Sequence, residues 1–224
     1  MPATRKLKRG LDVAVSASML AAGSPALLAV FLLVRQRMGS PAVFRQLRAG
    51  RGGAPFTVLK FRTMNEARDP QGKLLPDSAR LTKLGRFLRR TSLDELPQLW
   101  NVLRGEMSFV GPRPLYLDYT PYYTARERTR LDVPPGITGL AQVSGRNLLL
   151  WDDRLELDAQ YAERWSLGLD AWILWRTVKN VLTREGVIDA PGTAQGRLDV
   201  VRRERAAQGA AQGAAERVSG GSGA

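Results

Sequence analysis

From Val13 to Val34 the chain runs through 22 residues without a charge, most of them apolar, and Ser24-Pro25 falls at the midpoint. At about 1.5 Å per residue such a helix matches a bilayer core of ~30 Å, which makes one spanning helix the first reading. The flanks point elsewhere. Arg5, Lys6, Lys8 and Arg9 precede the run, and Arg35, Arg37, Arg45, Arg48 and Arg51 follow it before the next acid, Glu66. Basic residues collect on the cytoplasmic side of membrane segments, so both ends read as cytoplasmic. Proline lacks an amide hydrogen and clashes with the preceding turn, so Pro25 is where the helix would fold back, with Ser24 placed to bond a carbonyl freed there. Each half then measures about 17 Å, close to the depth of one leaflet. The run is read as a re-entrant helix-break-helix, with a single kinked spanning helix as the alternative. A cleaved signal peptide fits less well, because the run exceeds the usual ~7–15 apolar residues and meets Arg35-Gln36-Arg37 where a small-x-small site would stand.

Downstream the periods shorten. Ala42 to Leu47 and Phe56 to Met64 are β-prone and separated by Ala49-Gly50-Arg51-Gly52-Gly53, predicting a hairpin; those glycines lack P-loop or dinucleotide spacing. Arg68 to Asp77, with Pro70, Gly72 and Pro76, reads as a loop. Leu81, Leu84, Phe87 and Leu88 share a helical face while Lys83, Arg86, Arg89 and Arg90 sit around the rest, predicting a short basic amphipathic helix. Leu96 to Leu103 predicts another, stopped at Gly105. Pro112, Pro114, Pro121, Pro134 and Pro135 make the next stretch irregular around a helix between Thr120 and Leu131. Asp153 to Trp165 and Asp170 to Thr183 predict further helices, whose Trp165, Trp172 and Trp175 suit either a headgroup layer or a core. Past Pro191 the composition turns to Ala, Gln, Gly and Ser.

The expected fold is therefore α+β: a mostly helical, membrane-associated catalytic domain with a short β-hairpin and an N-terminal re-entrant element. Its expected divisions are a basic N-terminus and membrane helix at 1–38, a catalytic domain at 39–190, and a low-complexity tail at 191–224. A hydrophobic content of 44% supports a proper core. The net charge of +13 calls for an anionic partner. The membrane element favours acidic headgroups or a phosphorylated substrate over nucleic acid, for which no recognition signature is present. With no histidine and no cysteine, the chain cannot carry a Ser-His-Asp triad, a thiol nucleophile or a thiolate-imidazole zinc site. Chemistry falls to carboxylates, lysine, tyrosine or hydroxyls, and any metal to oxygen ligands, hence magnesium or manganese.

Four segments gather the candidate residues: Lys60-Phe61-Arg62, Arg89 to Pro97, Pro112-Arg113-Pro114, and Gly136 to Arg146. Ser92-Leu93-Asp94-Glu95 fits a helix capping box, yet Pro97 sits more comfortably if Asp94 is the cap. Adjacent residues on a helix point about 100° apart, so Asp94 and Glu95 suit separate tasks better than a shared proton. Capping and catalysis both remain open for the pair. Arg113, stiffened between prolines, offers a planar fork to phosphate or a nucleobase, or makes a structural salt bridge. Lys60 and Arg62 share one strand face by period-two alternation.

In this order the segments resemble the monotopic phosphoglycosyl transferases, bacterial enzymes that load a polyprenol phosphate with the first sugar phosphate of a surface glycan. The resemblance runs from about Lys8 to Val187 and is densest between Arg89 and Pro114. It implies that Asp94 attacks the β-phosphorus of a UDP-sugar, expels UMP and passes the sugar phosphate to polyprenol phosphate, with Mg2+ at the pyrophosphate. Glu95 would bind that metal with Asp94 or relay a proton. Lys60, Arg62, Arg89 and Arg113 would clamp phosphates, Arg113 meeting the nucleotide between Pro112 and Pro114. Gln142 and Arg146, after a turn read at Gly136-Ile137-Thr138-Gly139, match a further family segment. The resemblance also implies a membrane break at Ser24-Pro25, a seat on anionic lipid at the cytoplasmic face of the bacterial cytoplasmic membrane, and the family's minimal catalytic unit. A tethered nucleic-acid binder and a non-catalytic membrane scaffold are the rival classes.

Overall fold

The computed structural model describes residues 2–145, 148–183 and 196–220. The apolar run lies within one 37-residue helix, α1 (Pro2–Met38), and the break expected at Ser24-Pro25 does not interrupt it. Pro25 cannot donate to the Ala21 carbonyl; the Ser24 hydroxyl donates to it instead, at 2.9 Å, which lets the helix continue. The two sides of α1 differ. Asp12, Ser16 and Val34 are buried, and Leu27, Val30 and Phe31 pack with Ala42, Phe61 and Leu88. Leu7, Leu11, Val15, Met19, Leu28 and Leu32 face outward, an apolar surface of the kind that marks a membrane or partner contact. Among the described residues, α1 is the one helix long and apolar enough to cross a membrane.

The predicted hairpin forms from β1 (Val43–Ala49) and β2 (Pro55–Phe61), antiparallel from Val43↔Phe61 to Ala49↔Pro55. Gly52 and Gly53 turn it with φ of 66° and 78°, which side-chain-bearing residues rarely adopt. A short α2 (Asp77–Arg80) precedes α3 (Lys83–Arg90), the predicted basic amphipathic helix, where Thr82 Oγ1 accepts from the Gly85 amide as cap. Gly85 rests directly on the chain leaving β2. A Cβ there would lie 1.8 Å from the Thr63 carbonyl oxygen, a backbone atom with no rotamer to yield. Gly85→Ala is therefore expected to cost about 1–3 kcal/mol, read as a melting point lower by about 2–4 °C per kcal/mol in purified, detergent-solubilised protein.

The helix α4 (Gln98–Arg104) ends at Gly105, φ 84°, as the sequence implies. Beyond it, β3 (Ser108–Val110) leads through the proline-rich stretch and α5 (Ala125–Arg128) to β4 (Gly136–Thr138), which pairs with β3 in parallel. This corrects the reading of Gly136 to Gly139 as a turn. The partner strand is remote in sequence, and the contact is so close that a Cβ on Gly136 would lie 2.1 Å from the Gly111 amide nitrogen. The short α6 (Leu140–Ser144) follows, then α7 (Trp151–Arg164) and α8 (Leu167–Thr183), in which Ile173 is buried while Trp172, Trp175, Val178 and Leu182 are exposed. The tryptophans thus divide: Trp165 packs against the core around Tyr161 and Ile173, and the other two face out. The region read as a low-complexity tail carries α9 (Leu198–Gly220), whose Leu198 is fully buried with Leu115, Tyr119, Tyr123, Trp151 and Leu155.

Polar contacts hold the N-terminal end of α1 on this body. Lys8 Nζ donates to Asp170 Oδ2 at 2.5 Å and to the Val110 carbonyl at 3.1 Å. Arg9 donates to the carbonyls of Val102 and Leu103, and Asp12 Oδ1 accepts from the Phe109 amide. The other end is held by apolar packing around Val34. Both ends of α1 thus rest on one domain.

Candidate active site

Between α3 and α4 the backbone turns through Ser92 in the left-handed region, φ 56°, and then a 3-10 turn, Leu93–Glu95. Neither capping arrangement forms. Ser92 makes no side-chain cap, and α4 begins after Asp94 and Glu95 with Pro97 as its N-cap. The tight turn instead aims the two carboxylates into different surroundings.

Glu95 Oε1 accepts from Lys60 Nζ at 2.6 Å, from the end of β2, and from Arg113 Nη2 at 2.9 Å, from the loop after β3. Burial alone would raise the Glu95 pKa, but the charges and hydrogen bonds of Lys60 and Arg113 outweigh it and hold the group well below the usual carboxylate range. Asp94 is buried and has no hydrogen bond or ion pair to its carboxylate among the described residues. Burial, then the neighbouring Glu95 charge, push its pKa up, against the partial opposition of Lys60, Arg89 and Arg113. One carboxylate is thus neutralised in place and its neighbour left with free lone pairs of raised basicity, a division suited to nucleophilic attack by Asp94.

That asymmetry has a pH signature. A carboxylate that acts as nucleophile has to be ionised, so with Asp94 in that role turnover would fall as pH drops through a pKa above the ordinary Asp value of about 3.9. Arg113→Ala removes a charge that lowers the Asp94 pKa, so the acid limb of kcat/KM should move to higher pH; a limb that stays put counts against Asp94 as its source.

The structure separates the other expected residues. Arg89 Nε donates to Thr63 Oγ1 at 3.1 Å, with its charge bearing on Asp94. Arg62 lies one residue past β2, where its amide still donates to the Ala42 carbonyl; its side chain bonds the Met64 carbonyl and Glu66, and among the described residues it makes no ion pair with Asp94 or Glu95. Pro112 and Pro114 are buried on either side of Arg113, the Pro112 carbonyl accepting from the Gly136 amide. Gln142 lies beside Gly139 with both side-chain polar atoms buried and unpaired. Arg146 lies outside the described residues.

One supporting pair escaped the sequence reading. Arg130 and Asp158, each 2% exposed at the side chain, form a buried ion pair at 2.9 Å, and Arg130 Nη2 also donates to the Arg113 carbonyl at 2.6 Å. No motif marks it, because its members come from distant segments, and a buried pair reads in sequence like any two surface charges.

For a metal, the described residues contain no group of three or more candidate ligands. The oxygens left are those of Asp94 and the second oxygen of Glu95. Magnesium commonly binds one or two carboxylates plus substrate phosphates, so this donor set fits an ion shared with a phosphorylated substrate.

Beside the dyad turn lies an apolar groove of about 400 Å³ between α1 and the hairpin, lined by Leu20, Leu27, Phe31, Phe61, Pro97 and Trp100. Its hairpin wall is the sheet face of Leu59 and Phe61, opposite that of Lys60, and it includes Arg45.

The bacterial sugar transferase family model matches residues 3–184. Among curated relatives, the uncharacterized sugar transferase EpsL of Bacillus subtilis is 50% identical over 81% of this chain and 90% of its own length. A UDP-glucose:undecaprenyl-phosphate glucose-1-phosphate transferase of Caulobacter vibrioides is 44% identical over 80% of this chain and 70% of its own. An undecaprenyl-phosphate galactose phosphotransferase of Salmonella typhimurium is 42% identical over 82% of this chain, which spans only 42% of that longer protein. The matched span runs from α1 to the end of α8 and takes in both carboxylates and the cations around them, and on it the chain belongs to the bacterial sugar transferase family.

Proposed function

We propose that the protein transfers a sugar 1-phosphate from a UDP-sugar to polyprenol phosphate through a covalent intermediate on Asp94, an early membrane step of surface glycan assembly. The observation that carries this is the contrast between adjacent carboxylates: Glu95 tied to Lys60 and Arg113, Asp94 buried and unpaired. An Asp94 oxygen attacks the β-phosphorus, the bond from that phosphorus to the nucleotide breaks, and UMP leaves with the electron pair. A phosphate oxygen of polyprenol phosphate then attacks the same phosphorus and releases the Asp94 carboxylate. Lys60, Arg89 and Arg113 orient the phosphates and balance their charge, while Glu95 fixes Lys60 and Arg113 in place. Magnesium held by Asp94 and Glu95 would neutralise charge on the donor pyrophosphate. The substrates named for the Caulobacter and Salmonella relatives support this pair without deciding the sugar.

In this reading the domain sits at the cytoplasmic face of the bacterial cytoplasmic membrane, with α1 lying along that face and its outward apolar residues in the lipid. The fastening of both ends of α1 to one domain supports this, since a spanning helix would carry one end away. Exposed Trp172 and Trp175, and Phe87 among the arginines of α3, suit an anionic headgroup layer. The apolar groove offers a surface for the isoprenoid chain.

Incubating the purified protein with a panel of UDP-sugars and magnesium, without acceptor, is expected to release UMP and add one sugar phosphate to Asp94 by intact mass and peptide mapping. No UMP and no adduct with any sugar would overturn the proposal. Topology has its own check, because the chain lacks cysteine. Single cysteines placed at Arg5 and at Gln36 should both resist an impermeant maleimide in intact spheroplasts and react after lysis. Labelling of the first from outside would mean a spanning helix.

A further inference from the structure

Arg48, near the end of β1, has no role in the scheme above. Its guanidinium lies 3.8 Å from the centre of the Tyr116 ring and donates to Gln46 Oε1 at 2.5 Å. Among the described residues no carboxylate pairs with it, although it is half-buried. In the hairpin register Arg48 faces Phe56, which puts it on the same sheet face as Lys60, the cation that holds Glu95. The Ala49 amide donates to the Leu115 carbonyl at 3.0 Å, so the end of β1 is strapped to the segment that carries Arg113 and Tyr116. Arg113 and Arg48 are close enough for their charges to interact, and Glu95, the one carboxylate paired with Arg113 among the described residues, is shared with Lys60. Like charges gathered with so little compensation, on a rigid sheet face and an aromatic platform, make a receptor for an anion.

We propose that Arg48 is a further donor-binding residue, its guanidinium receiving the phosphate of the departing nucleotide beside Arg113. This rests on the transfer of a sugar phosphate from a UDP-sugar proposed above. In that scheme the phosphorus under attack lies at Asp94, and the nucleotide phosphate is the next anion outward from the dyad. Arg48 shares the sheet face of Lys60 and lies within reach of the Arg113 charge, so an anion held by Arg113 also meets the Arg48 guanidinium. Tyr116 keeps the guanidinium plane fixed, so little freedom is lost when phosphate binds. In the order of residues Arg48 is one of several arginines that follow the membrane run. The tertiary contact with Tyr116 and the strand register single it out.

The test uses the full chain carrying Arg48→Gln, Arg48→Lys and, as a control, Arg51→Gln on the exposed turn. UMP affinity is read by calorimetry and steady-state KM is measured separately for donor and acceptor. Arg48→Gln should weaken UMP binding and raise donor KM by about tenfold or more, leave acceptor KM unchanged, and move the melting point by no more than about 2 °C. Arg48→Lys should recover part of the loss, and Arg51→Gln should match the wild type. Unchanged UMP affinity in Arg48→Gln overturns the inference. So does a loss shared by both substrates together with a lower melting point, which would mark Arg48 as a structural prop for Tyr116. Calorimetry separates this inference from the reading on which it rests: wild-type protein that binds UMP through Arg48 yet forms no adduct overturns the transfer mechanism alone. Turnover with Arg48-independent UMP binding overturns this inference alone.

Discussion

Asp94→Asn is expected to abolish sugar-phosphate transfer, by at least about 10⁴-fold, and to form no adduct however long the incubation. The amide keeps the shape of the carboxylate but offers no anionic oxygen to phosphorus. Glu95→Gln should behave differently. It leaves Lys60 and Arg113 without the carboxylate they share, so turnover should fall by about 10²–10³-fold while a slow adduct on Asp94 persists. Stability should move against activity. Burial and the Glu95 charge disfavour the ionised form of Asp94, so its folded pKa lies above the unfolded value and the ionised group destabilises the fold at neutral pH. A neutral asparagine removes that penalty, and the melting point of Asp94→Asn should hold or rise as catalysis disappears. Turnover that survives in Asp94→Asn, with the adduct mapped to Glu95, would reverse the two roles.

Asp158→Asn is expected to be the most damaging single change away from the dyad. The Arg130 guanidinium is sealed from solvent and spans the Asp158 carboxylate, the Tyr123 hydroxyl and the Arg113 carbonyl. Removing the carboxylate charge strands a buried cation, a loss of about 3–5 kcal/mol. At about 2–4 °C per kcal/mol for a chain of this size, the melting point should fall by some ten degrees. Replacing both partners by apolar residues of similar size, Arg130→Met with Asp158→Leu, should restore most of the stability, because the desolvation cost disappears with the pair. Activity should not return with it, since Arg113 would still lack the donor to its carbonyl. Arg126 gives the contrast. It bonds both Glu156 and Glu163 but is exposed, and Arg126→Ala should leave the melting point within scatter. A double variant that stays as unstable as Asp158→Asn would mean that the pair contributes by geometry and not through its charge.

Much of the local structure was legible in the sequence because it is decided locally. The glycines between two β-prone stretches require a hairpin, the spacing of Leu81, Leu84 and Leu88 requires a helix with one buried side, and Gly105 supplies the left-handed stop that ends α4. The candidate dyad was legible as an adjacent pair whose side chains point apart. Their different surroundings were not, because these depend on Lys60 and Arg113 arriving from β2 and from the loop after β3. Strand alternation placed Arg62 with Lys60, but spacing does not show that its guanidinium is taken up by the Met64 carbonyl and Glu66. The Gly136 segment looked like a turn because its partner strand is far along the chain. Proline at position 25 argued for a break, and a single hydroxyl kept the helix whole.

The sequence by itself determined where an apolar helix runs, that its flanks are basic, that any chemistry had to rest on oxygen and nitrogen groups without thiol or imidazole, and which short segments gather the candidate residues. Those properties are fixed by composition and by spacing along the chain. Only the tertiary structure decided which cations hold Glu95, that Asp94 is left buried and unpaired, that Arg130 supports Arg113 from beneath, and that both ends of α1 sit on one body. Each of these depends on desolvation and on distances of a few ångströms between residues remote in sequence. Electrostatic energy in a protein is set by such distances and by access to water, and neither is written in the order of residues.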